Sequence, residues 1–260
     1  MPHQARTDWE DGTSGPKGTV AFVDPINILQ RTKGGKMKEL NMRTAVVGIG
    51  GAGCNIISDV YWNEPSLDTI AINTDRKAME SVDADRKLFI CKSVTQGQGT
   101  NGDSMLGKRC AQAHLDEIRE VLSGYDVVYI VAGMGGGTGT GAAPVIAEIA
   151  ESLGLITSSI LISPFSFETA RLNTAKEGIM RMRAVCRMTT VIENDLVLKN
   201  YPDLTMSEAF EEVNRRISGF ISANRKKIAK SFIDVLSETV FEPKEENISV
   251  PVQLKGLASL

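Results

Sequence analysis

The chain has 260 residues, of which 42% are hydrophobic and 23% are charged, a globular composition that suffices for one large α/β domain or two small ones. The net charge of −3 excludes the strongly basic balance that is typical of proteins binding nucleic acid or anionic membranes. The four cysteines, which have no CxxC spacing, are expected to be reduced thiols that form no zinc site: Cys54, Cys91, Cys110 and Cys186. The N-terminus has no signal-peptide pattern, and no apolar run reaches the length of a membrane span. We therefore expect a cytoplasmic protein.

The first 42 residues are predicted to be an extension that precedes the ordered core. Residues 1–18 are rich in Gly, Pro, Asp and Thr, which is typical of disordered tails. Residues 20–31 have the pattern of a strand and a short helix, and the Lys-Gly-Gly-Lys run at 33–36 breaks that pattern. We therefore place the first domain boundary between residues 42 and 43.

From residue 43 onward, short apolar runs alternate with longer helical patterns. The predicted strands are 44–49, 69–72, 87–91, 126–132, 156–162 and 189–192, and the predicted helices between them are 53–61, 104–122, 142–153 and 172–188. This alternation predicts an α/β fold with a doubly wound, mostly parallel six-stranded sheet and helices on both faces. Right-handed crossovers would then bring the carboxyl ends of the strands to one edge, where ligands bind.

Residues 206–222 predict a long amphipathic helix, because apolar residues recur there at spacings of three and four. The run Asn-Arg-Lys-Lys at 224–227 is expected to interrupt this helix, and a second short helix is expected at 230–239. Residues 248–254 have the pattern of one strand, broken by Pro251. We assign residues 43–222 to one domain that includes the long helix, and residues 223–260 to a C-terminal region.

A first glycine loop follows the first predicted strand and opens a helix. Gly48, Gly50 and Gly53 have the spacing of the dinucleotide-binding fingerprint, and Asp75, 22 residues after Gly53, lies where an acid that binds a ribose is expected. On these residues alone, an NAD-binding oxidoreductase is one hypothesis.

A second and rarer loop follows the fourth predicted strand, with six glycines and two threonines in the nine positions 133–141. Glycine lets successive backbone N–H groups turn toward one ligand, because no Cβ holds the ligand away. The N-terminus of the following helix adds a positive dipole end. This loop predicts a cradle for two or three phosphate groups.

A third loop, Thr-Gln-Gly-Gln-Gly-Thr-Asn-Gly at 95–102, follows the third predicted strand and is expected to close over a terminal phosphate. A plain surface loop is the alternative for this segment. Three such loops on one edge of a sheet favour a triphosphate over the single pyrophosphate of a dinucleotide.

Five motifs resemble those of the tubulin/FtsZ GTPase family, and are closer to prokaryotic FtsZ than to eukaryotic tubulin: GIGGAGCN at 48–55, AINTD at 71–75, GQGTNGDSMLG at 97–107, AGMGGGTGTGAAPVIAEIA at 132–150 and SPFSFE at 163–168. The resemblance covers roughly residues 43–222. It implies a GTP-binding domain that takes GTP or GDP as its ligand, with Mg²⁺ held through the phosphates and no metal site of protein side chains alone. The implied nucleotide-binding residues in and beside the loops are Gly50, Gly51, Ala52, Gly53, Asp75, Gly99, Thr100, Asn101, Gly135, Gly136, Gly137, Thr138, Gly139, Thr140 and Gly141.

The resemblance also implies which residues hold the sugar and the base. Glu168 and Arg171 match the family's acid and arginine that contact the sugar, although this chain is one residue shorter between them. The remaining matches are near or at the base: Asn55, Asn194, Phe210 and Asn214. Phe210 and Asn214 are four residues apart and therefore share one helix face, as a ring stacked on guanine and a polar group at its edge require.

The chain departs from the family in the segment that supplies catalysis to a neighbouring subunit. The FtsZ segment carries an asparagine and two aspartates, and here Ala229 and Ser231 replace the asparagine and the first aspartate, so that only Asp234 remains. A carboxylate there would orient the attacking water, and a positioned acid or base contributes about 10²–10⁴-fold to rate. We therefore expect weak or absent hydrolysis.

The chain also leaves little length for the family's C-terminal domain, so we expect that domain to be largely absent and the usual filament not to form. An apolar face left bare would favour self-association, which predicts a homo-oligomer such as a dimer, and a full-length FtsZ is a further candidate partner. The leading hypothesis is a GTP/GDP-dependent switch or scaffold in cell division or cytoskeletal regulation. The alternative is an active GTPase that uses Asp234 or an acid from a partner.

Overall fold

The computed structural model describes the backbone of residues 42–241 and the side chains of residues 42–224. The predictions made for the extension before residue 42 and for a strand at 248–254 lie outside the described residues.

One sheet organises the molecule, and each of its neighbouring strand pairs is parallel. The strands lie in the order β3-β2-β1-β4-β5-β6, and are β1 Thr44–Ile49, β2 Asp68–Asn73, β3 Arg86–Phe89, β4 Val127–Gly133, β5 Ile156–Ser163 and β6 Met188–Glu193. The central strand β1 is buried along its whole length, because helices cover both faces of the sheet. The predicted doubly wound α/β fold is confirmed.

The helices of the described chain are α1 Gly50–Asn63, α2 Arg76–Glu80, α3 Lys92–Thr95, α4 Ser104–Ala113, α5 Leu115–Leu122, α6 Thr138–Ser152, α7 Thr169–Val185, α8 Asn194–Asn200 and α9 Met206–Phe241. Apolar residues from the two faces of the sheet form two separate cores. One core joins Ile130 of β4 to Ile146 of α6, and the other joins Val46 of β1 to Ile57 of α1 and Ile217 of α9. Each fully buried aliphatic side chain of this kind contributes about 1.5–3 kcal/mol.

The helix predicted at residues 104–122 is two helices, because His114 leaves the helical conformation with φ −122° and ψ 33°. Its Nε2 accepts a hydrogen bond from the backbone N–H of Cys91 at 3.2 Å, and its Nδ1 lies 3.0 Å from the carbonyl oxygen of Cys110. The contact with Cys91, 23 residues earlier, is a tertiary one and lies at a break in a pattern that is continuous in the sequence.

The interruption predicted at residues 224–227 is wrong, because the backbone of α9 continues without a break from Met206 to Phe241. Arg and Lys are good helix formers, and the run contains neither Gly nor Pro. The helix predicted to begin at Ala142 also begins earlier, at Thr138 inside the second glycine loop.

The order of the sheet fixes where a ligand can bind. The chain winds outward from β1 in one direction through β2 and β3, and from β4 in the other direction through β5 and β6. Connections leave the adjacent ends of β1 and β4 toward opposite faces, and a crevice forms there beyond the carboxyl ends of the strands. Both predicted glycine loops leave these two strands.

Candidate functional site

The first and second glycine loops touch each other at the crevice between β1 and β4. Gly50 has φ +70°, and a Cβ added to it would lie 2.8 Å from the backbone nitrogen of Gly139. A Cβ added to Gly133 would lie 2.7 Å from the Cβ of Ala52. We call the two loops, Gly48–Gly53 and Gly133–Gly141, the phosphate end of the site.

The glycines of the phosphate end divide into packed and open positions. A Cβ on Gly53, Gly139 or Gly141 would collide with a backbone carbonyl oxygen of a neighbouring segment. A Cβ on Gly51 or Gly136 would meet no atom of the described residues within 4 Å. The packed glycines allow the close approach of backbones, whereas no described residue occupies the space beside the open ones.

Helix α6 points its N-terminus into this space. Because it begins at Thr138, the first N–H groups of the helix lie within the glycine loop, where helix geometry gives them no carbonyl four residues earlier. The positive end of the helix dipole is at the same place, and a phosphate is the group that such an end stabilises. The hydroxyl of Thr140 accepts a hydrogen bond from the N–H of Gly135 at 2.9 Å and so holds the turn itself.

Three buried threonine hydroxyls join the phosphate end to the third loop. The Oγ1 of Thr138 lies 2.6 Å from the Oγ1 of Thr74 and 3.3 Å from the Oγ1 of Thr100. Thr74 follows β2 and Thr100 belongs to the loop at 95–102, so one hydroxyl connects three segments. Neither Thr74 nor its neighbour Asn73 is among the binding residues predicted from the sequence, although polar residues that follow a parallel strand are a known signal of a site.

The third loop packs against the end of β2 and does not stand free of the domain. The N–H of Gly99 donates to the carbonyl of Thr74 at 3.2 Å, and Asp75 pairs with Gln98 in an isolated bridge. The carboxylate of Asp75 caps α2 by accepting from the N–H of Ala78 at 3.0 Å. Asn101 is exposed, with a left-handed φ of 47°, and is the predicted residue of this loop that reaches outward.

We call Asn194, Phe210 and Asn214 the base end of the site. Asn194 is the first residue of α8 and only 3% exposed, and its Oδ1 has no hydrogen-bond partner within the part of the chain that is described. Phe210 is 47% exposed, and its ring meets the edge of the Phe165 ring at 5.5 Å between centroids. Asn214 lies one turn further along α9 and is half-buried.

Two charged residues lie between the two ends. Glu168 and Arg171 form an ion pair of 2.8 Å, and the Cβ of Arg171 would be 2.8 Å from a Cβ added to Gly135. Arg171 therefore lies against the second glycine loop despite the residue missing before it. Asn55 is exposed on α1, two residues beyond the first glycine loop.

A buried thiol lies beneath the phosphate end. Cys54 is fully buried, and its Sγ lies 3.5 Å from the carbonyl oxygen of Gly48 and 3.8 Å from that of Ile72. Burial raises the pKa of this thiol to about 12. The group is therefore a protonated packing element at neutral pH and not a nucleophile.

The proposed catalytic segment lies at the limit of the described chain. The backbone at Ala229, Ser231 and Asp234 is part of α9, and their side chains are outside the described residues. Between residues 42 and 224, no group of three or more His, Cys, Asp and Glu side chains is arranged to hold a metal ion. No helix in the described range is both long and apolar enough to span a membrane.

Comparison with known proteins identifies a family whose members resemble this chain. A model of the tubulin/FtsZ family GTPase domain matches residues 43–202. Cell division protein FtsZ 2 of Haloferax volcanii is 37% identical over 207 residues, which cover 79% of this chain and 49% of the relative. FtsZ 2 of Methanocaldococcus jannaschii is 39% identical over 188 residues, which cover 72% of this chain and 50% of the relative. The chain thus spans about half the length of the curated relatives it matches.

Solved structures agree with this assignment. An empty FtsZ dimer from M. jannaschii has a TM-score of 0.66 at 33% identity, with 74% of this chain and 55% of that chain covered. A GTPγS-bound protofilament of CetZ2 from Haloferax volcanii has a TM-score of 0.62 at 22% identity, with 76% of this chain and 59% of that chain covered. At this identity the likeness shows the fold alone.

Proposed function

Because this chain belongs to the tubulin/FtsZ family, we propose that it binds guanine nucleotide and acts as a GTP/GDP-dependent switch or scaffold in cell division or cytoskeletal regulation. The relatives that it matches over most of its own length are named cell division proteins. The cytoplasmic location and the homo-oligomeric state stay predictions that accompany this proposal.

The observation that carries the proposal is the open space beside two glycines of the phosphate end. Within the described part of the chain, no atom lies within 4 Å of a Cβ added to Gly51 or Gly136, while Gly50, Gly53 and Gly139 are packed against backbone. The N–H groups at the start of α6 face the same space, which suits an anionic group that approaches the backbone closely. Two or three consecutive phosphates would use both loops, and Mg²⁺ would be held by phosphate oxygens and water.

The base end supports guanine over adenine. The buried Oδ1 of Asn194 is an acceptor without a partner among the described residues, and it costs free energy until a donor reaches it. Guanine presents N1–H and its 2-amino group as donors, whereas adenine presents an acceptor at N1. The exposed part of Phe210 offers an apolar face for the base to stack on.

Hydrolysis requires a water to be oriented toward the γ-phosphorus and to give up a proton as the bond to the β-phosphate oxygen breaks. Ser231 is a weaker acceptor for that proton than the aspartate of the family segment, and Ala229 offers no polar group. We infer that turnover is slow. The alternative, an active GTPase, relies on Asp234 or on an acid that a partner contributes.

Binding is tested by titrating the purified chain with GTP, GDP, ATP and NAD, using displacement of a fluorescent guanine nucleotide. Gly136→Ala should lower the affinity for GTP at least tenfold without lowering the melting temperature, because the new methyl group enters only the ligand space. Gly219→Ala, at another open glycine on α9, is the matched control and should leave affinity unchanged. A wild-type chain that binds no guanine nucleotide at micromolar concentration, or prefers NAD, contradicts the proposal.

Hydrolysis is tested separately by measuring phosphate release from GTP. We expect slow release by the wild type, little change in Asp234→Ala and faster release in Ser231→Asp, which restores the family's carboxylate. Rapid wild-type turnover that Asp234→Ala abolishes would favour the active GTPase instead.

A further inference from the structure

One carboxylate ties together two segments that contribute to the base end and the sugar contacts. Asp195 accepts hydrogen bonds from the backbone N–H of Ser166, at 3.0 Å to Oδ1 and 3.2 Å to Oδ2, and from the Ser166 hydroxyl at 3.3 Å. Asp195 is in the first turn of α8, and Ser166 is in the connection from β5 to α7. The contact therefore crosses from one strand end to the next, 29 residues along the chain.

The Ser166 side of this contact carries the sugar-binding acid and supports the stacking ring. Phe165 packs on Phe210 edge to face, and Phe167 stacks on Phe165 at 5.1 Å. The N–H of Glu168 donates to the carbonyl of Phe165 at 2.9 Å, so the segment is one compact turn. A shift of Ser166 would therefore move both Glu168 and the support of Phe210.

The Asp195 side carries the residue that meets the base. Asn194 precedes Asp195 directly, and its Oδ1 has no partner within residues 42–224 that would orient it. The position of that acceptor therefore depends on the backbone of the first turn of α8. The three bonds from Ser166 to Asp195 are side-chain contacts that hold this turn against the neighbouring connection.

We propose that Asp195 is a positioning residue for guanine selectivity. Through its hydrogen bonds from Ser166, it fixes the position of the Asn194 Oδ1 relative to Phe210 and Glu168. This inference rests on the proposed guanine-nucleotide binding. Asp195 itself touches no base, and it acts by fixing where Asn194 and the sugar-binding turn stand relative to each other. Its loss should reduce the preference for guanine more than the affinity for phosphate.

The experiment measures displacement of a fluorescent guanine nucleotide by GTP, ITP and ATP from the full chain. The ratio of the ATP to the GTP dissociation constant should fall about tenfold in Asp195→Ala, since one well-placed hydrogen bond to a buried group is worth about that factor. ITP, which keeps N1–H and lacks the 2-amino group, should lie between the two. Asp195→Asn keeps an amide oxygen that can accept from the Ser166 N–H and should recover most of the selectivity.

Two further variants separate positioning from a general loss of structure. Asp203→Ala removes an exposed aspartate between α8 and α9 and should leave the ratio unchanged. In an Asn194→Ala background, Asp195→Ala should have little additional effect on the ratio, because the acceptor that it positions is already gone. Thermal unfolding of each variant reports whether it is folded.

The outcomes distinguish this inference from the proposed function. A wild type that binds GTP selectively and an Asp195→Ala variant that is folded with an unchanged ratio would overturn the inference and leave the proposed function intact. Additive effects of Asp195→Ala and Asn194→Ala would also overturn it. A wild type without affinity for guanine nucleotides would overturn both.

Discussion

The phosphate end is built from backbone, whereas the base end is built from side chains. At the phosphate end, glycines from two loops approach so closely that a methyl group on Gly50 would lie 2.8 Å from the backbone nitrogen of Gly139. At the base end, an asparagine whose acceptor has no partner among residues 42–224 and a half-exposed phenylalanine come from two different helices. The contact between the two glycine loops is packed like a core, and the base end depends on a few specific hydrogen bonds and ring contacts.

This difference teaches which changes each region tolerates. Backbone-built sites fail through added volume, because any side chain displaces a neighbour or the ligand. Side-chain-built sites fail through removed groups, because the remaining structure stays folded without them. Substitutions at the phosphate end should therefore separate into those that damage the fold and those that block only the ligand, and substitutions at the base end should act mainly on affinity.

The largest effect is expected for Gly50→Ala. The new methyl group combines a left-handed φ with a collision against Gly139, and together these should cost about 3 kcal/mol of unfolding free energy. Gly51→Ala is the matched neighbour, with open space around its Cβ, and should unfold near the wild-type denaturant concentration while binding GTP less tightly. Equal stability of the two variants in urea unfolding would refute the division into packed and open glycines.

At the base end, Phe210→Ala should weaken GTP binding by about 1–3 kcal/mol, the usual contribution of a base stacked on an aromatic ring. Because the ring is half-exposed, the melting temperature should fall only slightly. Met180→Ala, at an exposed apolar residue of α7, is the control and should leave GTP affinity unchanged. A large loss of stability with unchanged affinity would show that Phe210 is a packing residue.

A smaller effect is expected where hydroxyls join the phosphate end to the third loop. Thr138→Val keeps the shape of the side chain and removes the hydroxyl that contacts Thr74 and Thr100. The free energy of unfolding should fall by about 1–2 kcal/mol, because buried hydroxyl partners are left unpaired. Thr190→Val, at a half-buried threonine of β6, is the control and should lower the free energy of unfolding by less than Thr138→Val does. Amide hydrogen exchange at residues 95–102 should quicken only in Thr138→Val, and an unchanged rate would argue against the connection.

The smallest effect concerns the pH dependence of the phosphate end. Burial raises the pKa of Cys54 from 9.0 to about 12. As pH rises above the lower value, the unfolded chain loses a proton that the folded chain keeps, so the free energy of unfolding falls. At pH 10 this loss should be about 1 kcal/mol greater in the wild type than in Cys54→Ala, relative to pH 7.5. Identical pH dependence of the two proteins in urea unfolding would place the thiol in a wetter environment.

Several features could be predicted from the sequence because each is encoded locally. The alternation of apolar runs and helical patterns gave the parallel sheet, since a strand covered on both faces must be apolar throughout. The nine residues of the second glycine loop predict a phosphate cradle, which stays a prediction, since dense glycine between a buried strand and a helix favours close approach of a ligand to the backbone. Helix ends were less predictable, as His114 and the early start of α6 show, because tertiary contacts decide them.

The sequence by itself determined the fold class and the family, and it predicted where a phosphate site should lie, since close backbone approach requires glycine and glycine is visible wherever it occurs. The tertiary structure alone decided which of those glycines are packed and which are open. It alone also brought the hydroxyl of Thr138 into contact with those of Thr74 and Thr100. It also decided that Asp195 holds Ser166 across 29 residues. These facts depend on distances between segments far apart in the chain, and no local pattern of residue types specifies such distances.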